Sequence, residues 1–87
     1  MKIRDGFMLR EVAGQWVVVP IGERVVEFNG IMMLSESGAF LWKVLEKDVL
    51  EEELVTAILK EYSIDAETAE KDVKDFMVAI REKGLIA

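Results

Sequence analysis

The densest group of side chains that could perform acid–base chemistry is the run Glu51, Glu52 and Glu53. Successive residues of a helix point about 100° apart, so three helical carboxylates in a row cannot converge on one substrate atom. Acidic side chains in a first helical turn are stabilised by the helix dipole, which explains the run without a reaction. We therefore interpret it as the solvated start of a helix.

The hydroxyl groups of Ser35 and Ser37 are the other candidates, as nucleophiles. The chain contains no histidine and no cysteine, which removes the commonest general base, the thiolate nucleophile and the usual transition-metal ligands. No Gly-x-Ser-x-Gly turn surrounds either serine, and helix capping explains both. We expect a protein that is not an enzyme and that has no metal and no cofactor.

The composition limits the class of partner. Eighty-seven residues, 52% of them hydrophobic, are enough for one compact domain over residues 1–87. Seventeen acidic residues against 11 basic ones give a net charge of −6, which repels the phosphate backbone of nucleic acids. The first ten residues carry four charges, and no apolar run has membrane-spanning length. We expect a cytoplasmic protein that binds neither nucleic acid nor a membrane.

The elements that must position any site begin with strands, over about residues 7–34. Two segments, 7–12 and 15–20, are rich in β-branched and aromatic residues and flank Ala13 and Gly14, which are short enough for a tight hairpin. A second hairpin is predicted around Asn29 and Gly30, joining a strand at 24–28 to one at 31–34. The pattern predicts a three- to four-stranded antiparallel sheet.

Three helices follow, over about residues 36–47, 49–62 and 66–83. Ser35 or Ser37 is expected to cap the first helix, Asp48 with Glu51 to open the second, and Asp65 to cap the third. Gly84 is placed to end the third helix. Its apolar stripe has helical spacing and comprises Ala69, Val73, Phe76, Met77 and Ile80. The fold class is therefore α+β.

Methionines are common where a binding surface would need adaptable side chains. Met32 and Met33 are adjacent in a predicted strand, so one of them faces away from the core. Met77 belongs to the apolar stripe of the third helix, where filling the core is the simpler interpretation. Val78 falls opposite that stripe among charged residues, although single exposed apolar residues are ordinary.

A small sheet has open edges, and an open edge can accept a strand from another chain. Residues 31–42, reading IMMLSESGAFLW, resemble the Leu-Asn-x-Thr-Gly-x-x-Ile-Trp signature of the PqqD-like family, also called RiPP recognition elements. Residues 51–62 resemble its E-E-[IL]-x(n)-Y helix, and residues 72–77 with 84–86 resemble its D-V-x-x-F-[LV] and G-L-[LI] patterns. Ser35 replaces the commonest asparagine, and Glu46, Lys47 and Asp48 replace the usual Asp-Gly.

This resemblance implies a winged-helix-like domain that binds the leader of a ribosomally made precursor peptide as an added antiparallel strand. In such proteins the leader lies between the third strand and the third helix, and the peptide is delivered to a modifying enzyme, often a radical SAM enzyme. On this sequence the implied peptide-binding residues are Val25, Val26, Glu27, Phe28, Ile31, Met32, Met33, Lys74, Met77, Val78 and Arg81. Lys74 and Arg81 would form a basic flank suited to acidic leader residues.

Two other functions fit the same elements. A winged-helix DNA-binding regulator is one, but residues 51–62 carry four glutamates and one lysine, a poor surface for a recognition helix. A structural subunit that dimerises through its strand edge is the other. We expect a monomer or a weak homodimer.

Overall fold

The computed structural model describes residues 1–22 and 32–86, which form a sheet followed by helices. Three strands, β1 (Phe7–Val12), β2 (Gln15–Pro20) and β3 (Met32–Leu34), pair antiparallel in the order β1-β2-β3. Three helices follow: α1 (Glu36–Val44), α2 (Glu51–Glu61) and α3 (Ala66–Glu82). The predicted α+β class, with a three-stranded sheet before three helices, is confirmed; the winged-helix comparison is an analogy in the content of elements.

The hairpin between β1 and β2 turns at Ala13 and Gly14, as predicted. Their φ angles are 52° and 78°, the positive values that a two-residue type I′ turn requires. Val12 pairs with Gln15 across the turn. The second predicted hairpin, at Asn29 and Gly30 with a strand at 24–28, lies outside the described residues.

The caps of α1 and α3 are those that the sequence predicts. The Ser35 hydroxyl accepts a hydrogen bond from the Gly38 N–H at 3.1 Å, and the Asp65 carboxylate accepts one from the Thr68 N–H at 2.7 Å. Each bond satisfies an amide that the first helical turn leaves without an intrahelical partner.

The predicted start of α2 at Asp48 is wrong. The helix begins at Glu51, and the Leu50 N–H donates to the Glu53 carboxylate at 2.9 Å. Asp48 instead pairs with the Met1 amino group at 2.8 Å, and this hydrogen bond and charge lower the pKa of its carboxyl group. The carboxylate that the sequence offers as a cap is therefore engaged elsewhere.

The helix ends are also well defined. Gly84 has φ +71°, its N–H donates to the Arg81 carbonyl at 3.0 Å, and the Leu85 N–H donates to the Ile80 carbonyl at 2.9 Å. This Schellman arrangement ends α3 at Glu82, one residue before the predicted end. α1 ends at Val44, three residues earlier than the predicted 47.

The core lies between the inner face of the sheet and the three helices. The predicted stripe of α3 is buried throughout, and Leu54 and Ile58 of α2 are fully buried against it. Trp42, which the predicted stripe of α1 leaves out, is also fully buried, because α1 packs against β3, α2 and α3 at once. None of the described helices is long and apolar enough to cross a membrane.

Removing core volume at Ile80 should strongly destabilise the fold. Ile80 is fully buried, so Ile80→Ala should lower the free energy of unfolding by about 2–5 kcal/mol through lost apolar contact and a residual cavity. Val78→Ala, on the exposed side of the same helix, should change it by less than about 0.5 kcal/mol. Urea denaturation of both variants checks the pair; equal effects would contradict this account of the core.

The cap at Asp65 should make stability depend on pH in the acid range. Hydrogen bonds from the Thr68 side chain and backbone lower the pKa of the Asp65 carboxyl group below its ordinary 3.8. The cap therefore contributes fully above the unfolded-state pKa and is lost as the pH falls through the lower folded-state pKa. Asp65→Asn keeps an oxygen acceptor but has no titrating carboxyl group, so it should flatten the fall of the free energy of unfolding below pH 3.8 relative to wild type. Denaturation at several acid pH values measures the two slopes, and equal slopes in the two proteins would contradict a contribution from this cap.

Candidate functional site

The two methionines of β3 point to opposite faces of the sheet. Met32 is 9% exposed and belongs to the core, whereas Met33 is 58% exposed. The prediction that one of the pair faces away from the core is confirmed. Side-chain alternation along a strand is the cause, since Met32 pairs with the fully buried Val18.

The turn at residues 13 and 14 determines which backbone groups of β3 are free. A type I′ turn joins the Gln15 N–H to the Val12 carbonyl, so Val12 and Gln15 form a hydrogen-bonded pair. Hydrogen-bonded and non-hydrogen-bonded pairs alternate along an antiparallel ladder, so Val17 directs its N–H and C=O to β1. The opposite residue on β3, Met33, is then in a non-hydrogen-bonded pair with Val17.

Met33 therefore presents its backbone N–H and C=O to the outer edge of β3. Met32 and Leu34 direct theirs to Val18 and Trp16 of β2. Within the described residues no strand pairs with this outer edge. Within β3, the outer edge therefore offers the N–H and C=O of one residue, Met33. Its neighbours Met32 and Leu34 direct their side chains inward.

A groove of about 330 Å³ runs beside this edge, between β3 and α3, and we call it the β3–α3 groove. All three residues of β3 line one side, and Leu41 of α1 also lines the groove. The opposite side is one flank of α3: Asp72, Asp75, Phe76 and Ala79. The groove is thus apolar where Met32, Leu41 and Phe76 meet and carries two carboxylates on its helix side.

Gly38 closes the end of the groove by letting α1 start directly against β3. A Cβ at this position would lie 3.3 Å from the Ser35 Oγ, a tight contact, and 3.5 Å from the Leu34 Cβ, an ordinary van der Waals contact. The Ser35 and Ser37 hydroxyls are 3.2 Å apart at the same end. The glycine therefore leaves room for the Ser35 hydroxyl that caps α1.

The two carboxylates of α3 form what we call the acidic wall, Asp72 and Asp75. Asp72 is half-buried, and the side chain of Asp75 is 70% exposed. Lys71 Nζ lies 4.0 Å from an Asp75 carboxylate oxygen, and its own side chain is 78% exposed. An exposed i,i+4 pair at this separation contributes little, so the wall keeps most of its negative charge.

The residues predicted on α3 lie elsewhere. Lys74, Met77, Val78 and Arg81 are absent from the lining of the groove. Lys74, Val78 and Arg81 each follow a groove residue by two positions, a rotation of about 200° around a helix. Arg81 points to α2, where its guanidinium group is 3.6 Å from a Glu51 carboxylate oxygen. A peptide contact by these residues stays a prediction.

The other predicted residues divide into three groups. Met32 and Met33 line the groove, and Met77 is 1% exposed, within the core. Val25, Val26, Glu27, Phe28 and Ile31 lie outside the described residues. The prediction omits all four residues of α3 that line the groove, and their i, i+3, i+4, i+7 spacing is the signal of one helix face: Asp72, Asp75, Phe76 and Ala79.

A second, larger cavity of about 650 Å³ adjoins the groove at Leu34 and Ser35. Three aromatic residues line it, and Phe40 meets Tyr62 edge to face with ring centroids 5.8 Å apart. Lys43 Nζ lies 4.4 Å from the centroid of the Trp16 ring, a cation–π geometry. Burial, with the nearby Glu36 and Glu61 carboxylates, raises the pKa of Tyr62, so its hydroxyl stays protonated at neutral pH.

The family model described as coenzyme PQQ synthesis protein D (PqqD) matches residues 15–86 of this chain. The match includes β2, β3 and all three helices. The chain belongs to the PqqD family. The family that the sequence motifs resemble is therefore confirmed.

Two solved structures are similar to this PqqD-family chain over almost its whole length. One is TbiB1 in complex with the TbiA(beta) leader peptide, with 32% identity, a TM-score of 0.76, and coverage of 98% of this chain and 93% of that one. The other is lasso peptide synthetase B1 complexed with the leader peptide, with 15% identity, a TM-score of 0.72, and coverage of 97% and 93%. The second likeness shows the shared fold. A comparison with curated proteins finds no match.

Amide exchange should reveal the free edge of β3. The Met32 and Leu34 amides donate to β2 and should be protected, whereas the Met33 amide, directed outward, should exchange much faster. Hydrogen–deuterium exchange followed by NMR measures all three in one sample. Strong protection of the Met33 amide in the isolated protein would show that another group already occupies the edge.

Proposed function

We propose that this protein binds the leader of a ribosomally made precursor peptide as an antiparallel strand on β3 and holds it for a modifying enzyme. The binding itself requires no catalytic group, and the protein acts as a recognition element. The observation that carries the proposal is the Met33 edge, with which no strand of the described residues pairs, beside a groove of about 330 Å³ that is apolar at Met32, Leu41 and Phe76. An added strand completes the backbone hydrogen bonds of such an edge.

The geometry assigns a role to alternate residues of the leader. The residue that pairs with Met33 would exchange both backbone hydrogen bonds with it and direct its side chain outward, like that of Met33. Its two neighbours would lie opposite Met32 and Leu34 and direct their side chains into the β3–α3 groove. Backbone bonds would supply affinity, and the groove would supply specificity.

The comparisons support a leader as the partner. TbiB1, 32% identical over nearly the whole chain, is in complex with a leader peptide, and so is the more distant lasso peptide synthetase B1. The two neighbours are 32% and 15% identical to this chain, and each is in complex with a leader peptide. The enzyme that receives the peptide, for which the sequence suggests a radical SAM protein, stays a prediction.

Removing the outward amide of β3 should weaken strand addition without opening the sheet. Met33→Pro deletes an N–H that β2 does not use, so the ladder with β2 should remain while the edge loses a donor. We expect the affinity for a leader peptide that wild type binds to weaken at least about tenfold. Fluorescence anisotropy with the labelled leader measures the change.

Two control variants make the result specific. Met33→Ala keeps the amide and should bind nearly as wild type does. Glu11→Pro removes an N–H that points, by the same alternation, to the outer edge of β1, and it should leave leader affinity unchanged. Wild-type affinity in a folded Met33→Pro protein, judged by thermal unfolding, would rule out strand addition on β3.

A further inference from the structure

We propose that the β3–α3 groove selects leaders that carry a lysine or arginine on the side of the strand facing α3, through the acidic wall. This inference rests on the proposed function and adds the chemistry of the preferred peptide. It reverses the expectation from the sequence, in which a basic flank of α3 selects acidic residues.

The two carboxylates of the acidic wall lie on the same face of α3. Asp72 and Asp75 are three residues apart, so their Cβ atoms are neighbours about 5–6 Å apart on one helix surface. Both line the groove together with Phe76 and Ala79. A side chain entering the groove from a strand on β3 therefore meets two negative charges at its far side.

The floor of the groove, formed by Met32, Leu41 and Phe76, is apolar. Met32, Leu41 and Phe76 are buried and offer no hydrogen-bond partner from their side chains. Lysine and arginine have long aliphatic stems that pack on apolar surface while the charged end reaches beyond it. A basic side chain therefore satisfies both the floor and the wall, whereas an aspartate or glutamate meets repulsion and a short apolar residue leaves the wall unused.

The charged residues that line the groove are both acidic. Among the described residues that line it there is no lysine and no arginine. The nearest pairing cation, Lys71, forms only a 4.0 Å contact with Asp75 between two well-exposed side chains, so an incoming cation can replace it at little cost. The net charge of −6 adds a long-range attraction for a basic peptide.

The test is a selection of random 12-residue peptides displayed on phage against the immobilised protein. Wild type should enrich peptides in which an apolar residue and a lysine or arginine are two positions apart, the spacing of neighbours on one strand face. The double variant Asp72→Asn, Asp75→Asn should lose the enrichment of basic residues and keep that of apolar ones. Glu67→Gln with Glu70→Gln, an equal change of charge on the opposite side of α3, should select as wild type does.

Affinities of one selected peptide then quantify the contact. The double variant should bind it about three- to tenfold more weakly than wild type, and replacing its basic residue by glutamine should remove that difference. Selected peptides without basic enrichment, or an unchanged affinity of the double variant, would overturn the inference while leaving strand binding intact. If no selected peptide shifts the Met33 amide in NMR spectra, the proposed function fails as well.

Discussion

The two-residue turn at Ala13 and Gly14 determines the hydrogen-bonding pattern of the whole sheet. Its positive φ angles fix Val12 and Gln15 as a bonded pair, and the alternation of an antiparallel ladder then extends across β2 to β3. A shift of one residue would direct the Met33 amide to β2 and turn the inward side chains of β3 outward. The turn of the first hairpin therefore decides which backbone groups lie on the free edge of β3, the edge that we propose for binding.

The helices turn that edge into a groove. Gly38 leaves room for the Ser35 cap, and α1 begins two residues after β3 ends. The Asp65 cap and the Schellman bonds at Gly84 stabilise the two ends of α3. The Arg4 N–H donates to the carbonyl of Leu85, just after α3, and the Ile3 N–H donates to the carbonyl of Leu45, just after α1. These bonds stabilise the ends of the helix whose flank lines the groove, and a side-chain pocket requires such defined elements.

The sequence predicts the elements well because each has a local signal. The Ser35 and Asp65 caps, the Gly84 stop and the tight turn of the first hairpin are short-range effects that one chain segment determines by itself. The predicted cap at Asp48 is wrong because the partner of this carboxylate, the Met1 amino group, is 47 residues away in sequence. The sequence does not predict the acidic wall, for the same reason. Periodicity shows which stripe of a helix is buried. Which neighbouring flank faces the sheet edge depends on how α3 crosses α1, and no local pattern encodes that crossing.

An open strand edge also invites pairing between copies, and the charge distribution opposes it. Two molecules joined through their β3 edges would place each acidic wall beside the other's edge and bring two net charges of −6 together. The basic peptide strand that we propose would meet the same wall with attraction instead. One pair of carboxylates would then favour a foreign strand over a second copy, so specificity would come from repulsion of the wrong partner as well as attraction of the right one.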